Sequence, residues 1–201
     1  MRLVEIDDDP AAAAFLVTGV PGAGKTTVAR ELAARTERGA HIPADVLGGM
    51  VLGGREPPRP PVGEDSAEGG EEDRQLLLRA RNAALLADSF FAAGFTPVVD
   101  DVVVRRLQLD HYLEHLRSRP LVLVVLAPRR QVVLARDARR EPHKRGLAAE
   151  WEFLEETLRS ELAEAGLWLD SSDQEPAETV DAILAAVAAG PEGDAATRIF
   201  R

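Results

Sequence analysis

Gly19-Val20-Pro21-Gly22-Ala23-Gly24-Lys25-Thr26 is the stretch that decides the fold of this chain. It has the G-x-x-x-x-G-K-[ST] spacing of a phosphate-binding loop. It also stands where such a loop belongs, between the apolar run Ala14-Phe15-Leu16-Val17 and the helical pattern Thr27-Val28-Ala29-Arg30-Glu31-Leu32. The glycines let the backbone wrap so that successive N–H groups face one anion, and the helix start adds the positive end of its dipole. Lys25 then neutralises β/γ-phosphate charge, and the Thr26 hydroxyl is a ligand for Mg²⁺. The chain holds only two lysines, Lys25 and Lys144, among its 24 basic residues. A chain that otherwise uses arginine keeps lysine where a compact point charge is needed. The expected nucleotide-binding set is Gly19, Pro21, Gly22, Ala23, Gly24, Lys25, Thr26 and Thr27, with ATP and Mg²⁺ as cofactors.

Outward from the loop, apolar strands alternate with helical patterns, as in a parallel sheet covered by helices. Strands are expected at Ala13–Thr18, Ala40–Pro43, Pro97–Asp101, Leu121–Ala127 and Leu167–Leu169. Helices are expected at Lys25–Arg35, Asp73–Ala93, Leu107–Arg117, Arg129–Arg140, Ala148–Ala165 and Pro176–Ala188. The fold class is therefore α/β, a P-loop NTPase fold. It has a five-stranded, mostly parallel sheet, helices on both faces and a short lid. One domain spans residues 1–201. Residues 53–70, rich in Gly, Pro and Glu, read as a flexible loop, and 129–147 as the lid. Residues 190–201 read as a frayed tail in which Ile199 and Phe200 could dock.

Composition narrows the partners. The net charge of −10 repels polyanions, so nucleic acid is not the expected ligand. Without cysteine the chain has no disulfide or thiolate metal site, which fits the cytoplasmic location expected for it. The acidic start, Met1 to Asp9, lacks the apolar stretch of a signal peptide. The aliphatic run Leu121 to Ala127 is too short to span a bilayer.

Three places at the carboxyl ends of strands carry charge, where ligands of open α/β sheets gather. Asp45, in His41-Ile42-Pro43-Ala44-Asp45-Val46, follows the second strand. It is placed to accept a proton from a substrate hydroxyl, or else to cap the short helix Val46–Val51. Thr96-Pro97-Val98-Val99-Asp100-Asp101 ends a strand in two acids. Asp100 is the expected Mg²⁺ holder, and alternation sends Asp101 to the other side, toward Arg105 or Arg106. Arg129 through Arg145 gathers seven cations against two acids. There Arg136, Arg139 and Arg140 share a helix face suited to clamping phosphate, ahead of a helix break at Glu141-Pro142-His143-Lys144-Arg145-Gly146. Arg79, Arg81 and Asn82 lie on the long helix where an acceptor could bind. His111 and His115 do not form His-Glu-x-x-His and are not expected to bind metal.

With these residues in hand, the chain resembles the small P-loop kinases of the nucleoside-monophosphate-kinase-like group. It is similar in style to chloramphenicol-phosphotransferase-like, shikimate-kinase-like and gluconate-kinase-like proteins. The resemblance runs from Gly19 to Gly166-Leu167-Trp168-Leu169-Asp170 and the helix from Pro176. It implies that Asp45 meets the acceptor hydroxyl, that Asp100 is the strand-three acid, and that Arg136, Arg139 and Arg140 are lid arginines. The 53–70 insert is longer than a compact acceptor-binding region, so pocket residues do not carry over.

The expected activity is ATP- and Mg²⁺-dependent transfer of the γ-phosphoryl to a hydroxyl of a small molecule: an antibiotic, sugar acid or nucleoside. Catalysis falls to Asp45, Lys25, Arg136 and Arg140, nucleotide contacts extend to Arg136 and Arg139, and Thr26 and Asp100 hold the metal. Two other readings are a 5′-hydroxyl nucleic-acid kinase and a slow ATPase acting as a partner-binding switch. Net acidity and the scarcity of aromatic stacking residues weigh against the first. A poised acid beside a lid weighs against the second.

Overall fold

The computed structural model describes residues 13–56, 69–140, 146, 153–189 and 199–200. Five strands, β1 (Ala14–Thr18), β2 (Gly39–Pro43), β3 (Thr96–Asp100), β4 (Leu121–Leu126) and β5 (Leu167–Leu169), form a parallel sheet in the order β2-β3-β1-β4-β5. A sixth, β6 (Ile199–Phe200), pairs antiparallel with the start of β4, Leu121 opposite Phe200. The tail thus docks at the two apolar residues that suggested it, while residues 190–198 lie outside the described residues.

Burial follows position in the sheet. Every residue of β1, β3 and β4 is buried. That is why these strands read as continuous apolar runs: a central parallel strand is covered on both faces. Edge strand β2 buries only Ile42. Helices cover the sheet: α1 (Lys25–Arg35), α2 (Ala44–Gly48), α3 (Glu71–Ala92), α4 (Arg106–His115), α5 (Arg130–Ala138), α6 (Phe153–Glu161) and α7 (Pro176–Ala189). Two of them turn a small or aliphatic face inward, α1 through Val28, Ala29, Leu32 and Ala33, and α3 through Ala80, Ala83, Ala84 and Ala87. Alanine on α3 lets a 22-residue helix lie close to the sheet. Among the described residues no helix is long and apolar enough to cross a membrane.

Several boundaries differ from the sequence expectation. The helix expected at Arg129–Arg140 stops at Ala138, so Arg139 is its C-cap and Arg140 stands beyond it. The short helix begins at Ala44, one turn position before Asp45, and Pro43 is its N-cap. Asp45 is therefore not the cap. The 57–68 part of the expected flexible loop, residues 141–145 and 147–152, and with them Trp151 and most of the expected lid hinge, lie outside the described residues. Residues 53–56 lie along α3, where the Gln75 side chain donates to Gly54 O at 2.7 Å and accepts from Glu56 N at 3.0 Å.

Candidate active site

The register of the sheet builds the site. Val17 of β1 stands opposite Asp100 of β3, and Asp100 stands opposite Pro43 of β2. The phosphate loop, the Asp100-Asp101 pair and Asp45 therefore all emerge from neighbouring strand ends. Thr18 ties the loop's root to the chain beyond β3. Its hydroxyl donates to Val103 O at 2.8 Å and accepts from Val103 N at 2.9 Å.

At the head of α1 the N-cap is Gly24, with φ +100° and no side-chain cap. A capping serine or aspartate would consume the first helical N–H groups; here a glycine in the left-handed region leaves them for an external anion. Lys25 donates to Val20 O at 3.1 Å, folding its ammonium back over the loop. Desolvation holds its pKa below the ordinary 10.5, against the pull of Asp45, Asp100 and Asp101, with Arg140 adding to the depression. The charged groups whose fields act on Lys25 are Asp45, Asp100, Asp101 and Arg140. Thr26 and Thr27 are exposed beside them. An anion with its own counter-charge matches these features, and the hydroxyl and carboxylate oxygens of Thr26 and Asp100 are the hard donors Mg²⁺ takes.

The two strand-end acids have different partners. Asp100, its side chain only 5% exposed, meets His41 of β2, with Nε2 2.8 Å from Oδ2. Asp101 has partners of its own, and they are not Arg105 or Arg106. Arg105 pairs with Asp73, and Arg106 with Asp110. Asp101 instead accepts from Arg79 of α3, from the Tyr112 hydroxyl at 2.8 Å and from Val102 N at 2.7 Å. Burial pushes its carboxyl above the ordinary range despite Arg79 and these bonds, and burial also drives the Tyr112 phenol well above 10.0. Arg79 reaches Asp45 as well, at 3.2 Å. Asp45 is the open member of the group, its side chain 76% exposed. Asp45 is thus an acid facing solvent, backed by a buried guanidinium.

The arginines beyond β4 divide. Arg136 does not hang over the site; its Nη1 donates to Ala23 O at 3.2 Å and its Nη2 to Ser171 O at 2.8 Å, bracing the phosphate loop against the end of β5. Arg139 lines a cleft of about 420 Å³ with Gln131, Val132, Ala135 and Arg136 on one wall and Ser172, Asp173, Gln174 and Glu175 on the other. Arg140 pairs at 3.3 Å with Asp137, a buried acid that also accepts from Gly146 N at 2.7 Å. The sequence had no signal for this cleft, because its two walls are over thirty residues apart and meet through the β4–β5 pairing and the bonds of Arg129 and Arg136 to residues 171–173. Nor did it single out Tyr112 or His41. Arg79 was placed on the right helix, but not paired.

A family model described as AAA domain matches residues 15–165. No curated protein matches the chain at a significant level. Among solved structures, a sugar kinase from Janibacter sp. is 23% identical, with TM-score 0.64 over 89% of this chain and 96% of that one. A gluconokinase from Sinorhizobium meliloti is 23% identical at TM-score 0.60, over 89% and 93%. A shikimate kinase from Acinetobacter baumannii, in complex with shikimate, is 19% identical at TM-score 0.57, over 90% and 94%. At these identities the shared property is the fold, and that fold is the one on which those kinases are built.

Proposed function

From the premise that this chain belongs to the AAA domain family, we propose that it transfers the γ-phosphoryl group of ATP to a hydroxyl of a small molecule. The supporting observation is the company kept by Lys25. Its ammonium lies at an uncapped helix start, in the field of the carboxylates of Asp45, Asp100 and Asp101. A loop that only stored a phosphate would not need an exposed acid on its far side; a transferase does.

The roles follow from position. Backbone N–H groups of Gly22, Gly24, Lys25 and Thr26 hold the β-phosphate, with Gly19, Pro21, Ala23 and Thr27 shaping the turn, Ala23 by donating its own N–H to Val20 O at 3.1 Å. Lys25 offsets charge on the β- and γ-phosphates. Its depressed pKa reports a desolvated cation that gains when an anion arrives. Thr26 and Asp100 would hold Mg²⁺, which would supply positive charge against the negative charge that builds on the transferring group. The cleft between α5 and residues 172–175 takes the nucleoside, bordered by Arg139. Asp45 accepts the proton of the acceptor hydroxyl. As the new oxygen–phosphorus bond forms, the bond from the γ-phosphorus to its bridging oxygen breaks, and ADP leaves with that electron pair. Arg140, close enough to act on Lys25, is the cation that spreads charge over the transferring group.

The chain's acidity supports a small acceptor over a polyanion. The test is a screen of hydroxylated antibiotics, sugar acids, nucleosides and short oligonucleotides with Mg·ATP, read by mass spectrometry. A product heavier by one phosphoryl group from a small molecule, with oligonucleotides poor, is the expected result. No phosphorylated product, together with ATP hydrolysis stimulated by a protein partner, would establish the switch reading instead.

A further inference from the structure

Arg79 spans two acids of unlike character. One fork of its guanidinium donates to Asp101, whose carboxylate is buried and fixed from two other sides by the Tyr112 hydroxyl and Val102 N. The other fork meets Asp45, which faces solvent. The Arg79 side chain is itself only 12% exposed, and its Nε is buried without a hydrogen-bond partner. A buried N–H left unpaired costs stability, so this geometry is not the one that best satisfies the arginine. It is the geometry that carries both forks to the two carboxylates. Close packing holds it there: a Cβ added to Gly48 of α2 would stand 3.1 Å from Arg79 Cδ, so the helix that bears Asp45 rests directly on the arginine stem.

Charge balance says what Arg79 does not do. Two carboxylates already answer its single positive charge, and burial raises rather than relieves the cost of parting them. Desolvation opposes its protonated state, yet Asp101 and Asp45 together hold its pKa above the ordinary arginine value. It is not a free cation waiting for an acidic acceptor.

We propose that Arg79 is a positioning residue, a strut that transmits the fixed floor at Asp101 and Tyr112 to Asp45 and sets that carboxylate toward the γ-phosphate. This rests on the reading of Asp45 as the proton acceptor. Aspartate has two side-chain torsions, and at an exposed site an unbraced carboxylate spends most of its time elsewhere. Misplacing a reacting group by about 1 Å can cost about 10²-fold in rate.

The test is a double-mutant cycle on single-turnover hydrolysis of Mg·ATP, in which water stands in for the acceptor hydroxyl. Asp45→Asn is expected to lower the rate at least tenfold, and Arg79→Met by a factor between about 10 and 10². The double variant is expected within about twofold of Asp45→Asn alone, because a strut has no effect once the group it holds is gone. ATP affinity, measured by calorimetry on the same proteins, is expected to stay within about twofold throughout. Should Arg79→Met leave Asp101 too poorly paired to fold, Arg79→Met with Asp101→Asn removes both buried charges and carries the same cycle. Full additivity in the double variant, or an unchanged rate in Arg79→Met while Asp45→Asn is slow, overturns the proposal. If Asp45→Asn itself is as fast as the wild type, the proton-acceptor reading fails, and the strut, having nothing to position, fails with it.

Discussion

Replacing Arg136 by methionine keeps much of the side-chain stem but removes both of its hydrogen bonds to main-chain oxygens, at 3.2 Å to Ala23 and 2.8 Å to Ser171. Ala23 is fully buried and Ser171 is 2% exposed, so water does not readily replace the lost donors. A hydrogen bond from a charged group contributes about 1.5–3 kcal/mol; with the Ala23 bond at the long end, the pair sums to about 2–4 kcal/mol. For a domain of this length that lowers Tm by about 5–15 °C. Urea denaturation without nucleotide measures it, with an unchanged slope on denaturant showing that the folded state is the one affected. Because Ala23 belongs to the phosphate loop, ATP affinity is expected to fall together with stability. A stability change under about 1 kcal/mol would refute the bracing role. Turnover that falls alone, with stability and ATP affinity unmoved, would return Arg136 to the lid role its sequence position suggested.

Three further outcomes are expected. Gly166 has φ +74°, and a Cβ there would stand 2.6 Å from Leu123 O, so Gly166→Ala should cost about 1–3 kcal/mol in urea denaturation; an unshifted midpoint would contradict the contact. Burial, with His115 beside it, holds the His111 imidazole below its ordinary 6.5. The unfolded chain therefore takes up a proton that the folded chain resists, and stability falls as pH drops below about 6.5. In His111→Gln the loss between pH 7 and 5 should be smaller, and an identical slope would count against the shift. Lys25→Ala should abolish calorimetric binding of Mg·ATP without lowering stability, since the ammonium it removes is desolvated in the free protein; retained affinity would remove the nucleotide claim.

The parts of this fold that were legible in sequence are those governed by local rules. The glycine and lysine spacing from Gly19 to Thr26 needs only the strand before it and the helix after it. The unbroken apolar run at Leu121 marks a strand buried on both faces. Long-range pairings were not legible. That Asp101 meets Arg79 and Tyr112 depends on how α3 and α4 cross the strand ends, and 34 residues separate Arg79 from the Asp45 it also meets. Periodicity put Arg136, Arg139 and Arg140 on one helix face, yet the helix ends at Ala138 and Arg136 turns to Ala23, 113 residues away. A charge run says that cations are needed; the tertiary fold decides what each one holds.

The central claim is that Asp45 takes the acceptor's proton as the phosphoryl group leaves ATP on the Lys25 loop. Its most direct measurement is the single-turnover rate of phosphoryl transfer in Asp45→Asn, with a hydroxylated acceptor from the screen and Mg·ATP at saturation. The account predicts a rate lower by about 10²–10⁴, the range for a lost general base, while ATP affinity stays within about twofold. A transfer rate within about twofold of the wild type would contradict it, since the acid would then be dispensable to the step it is said to perform.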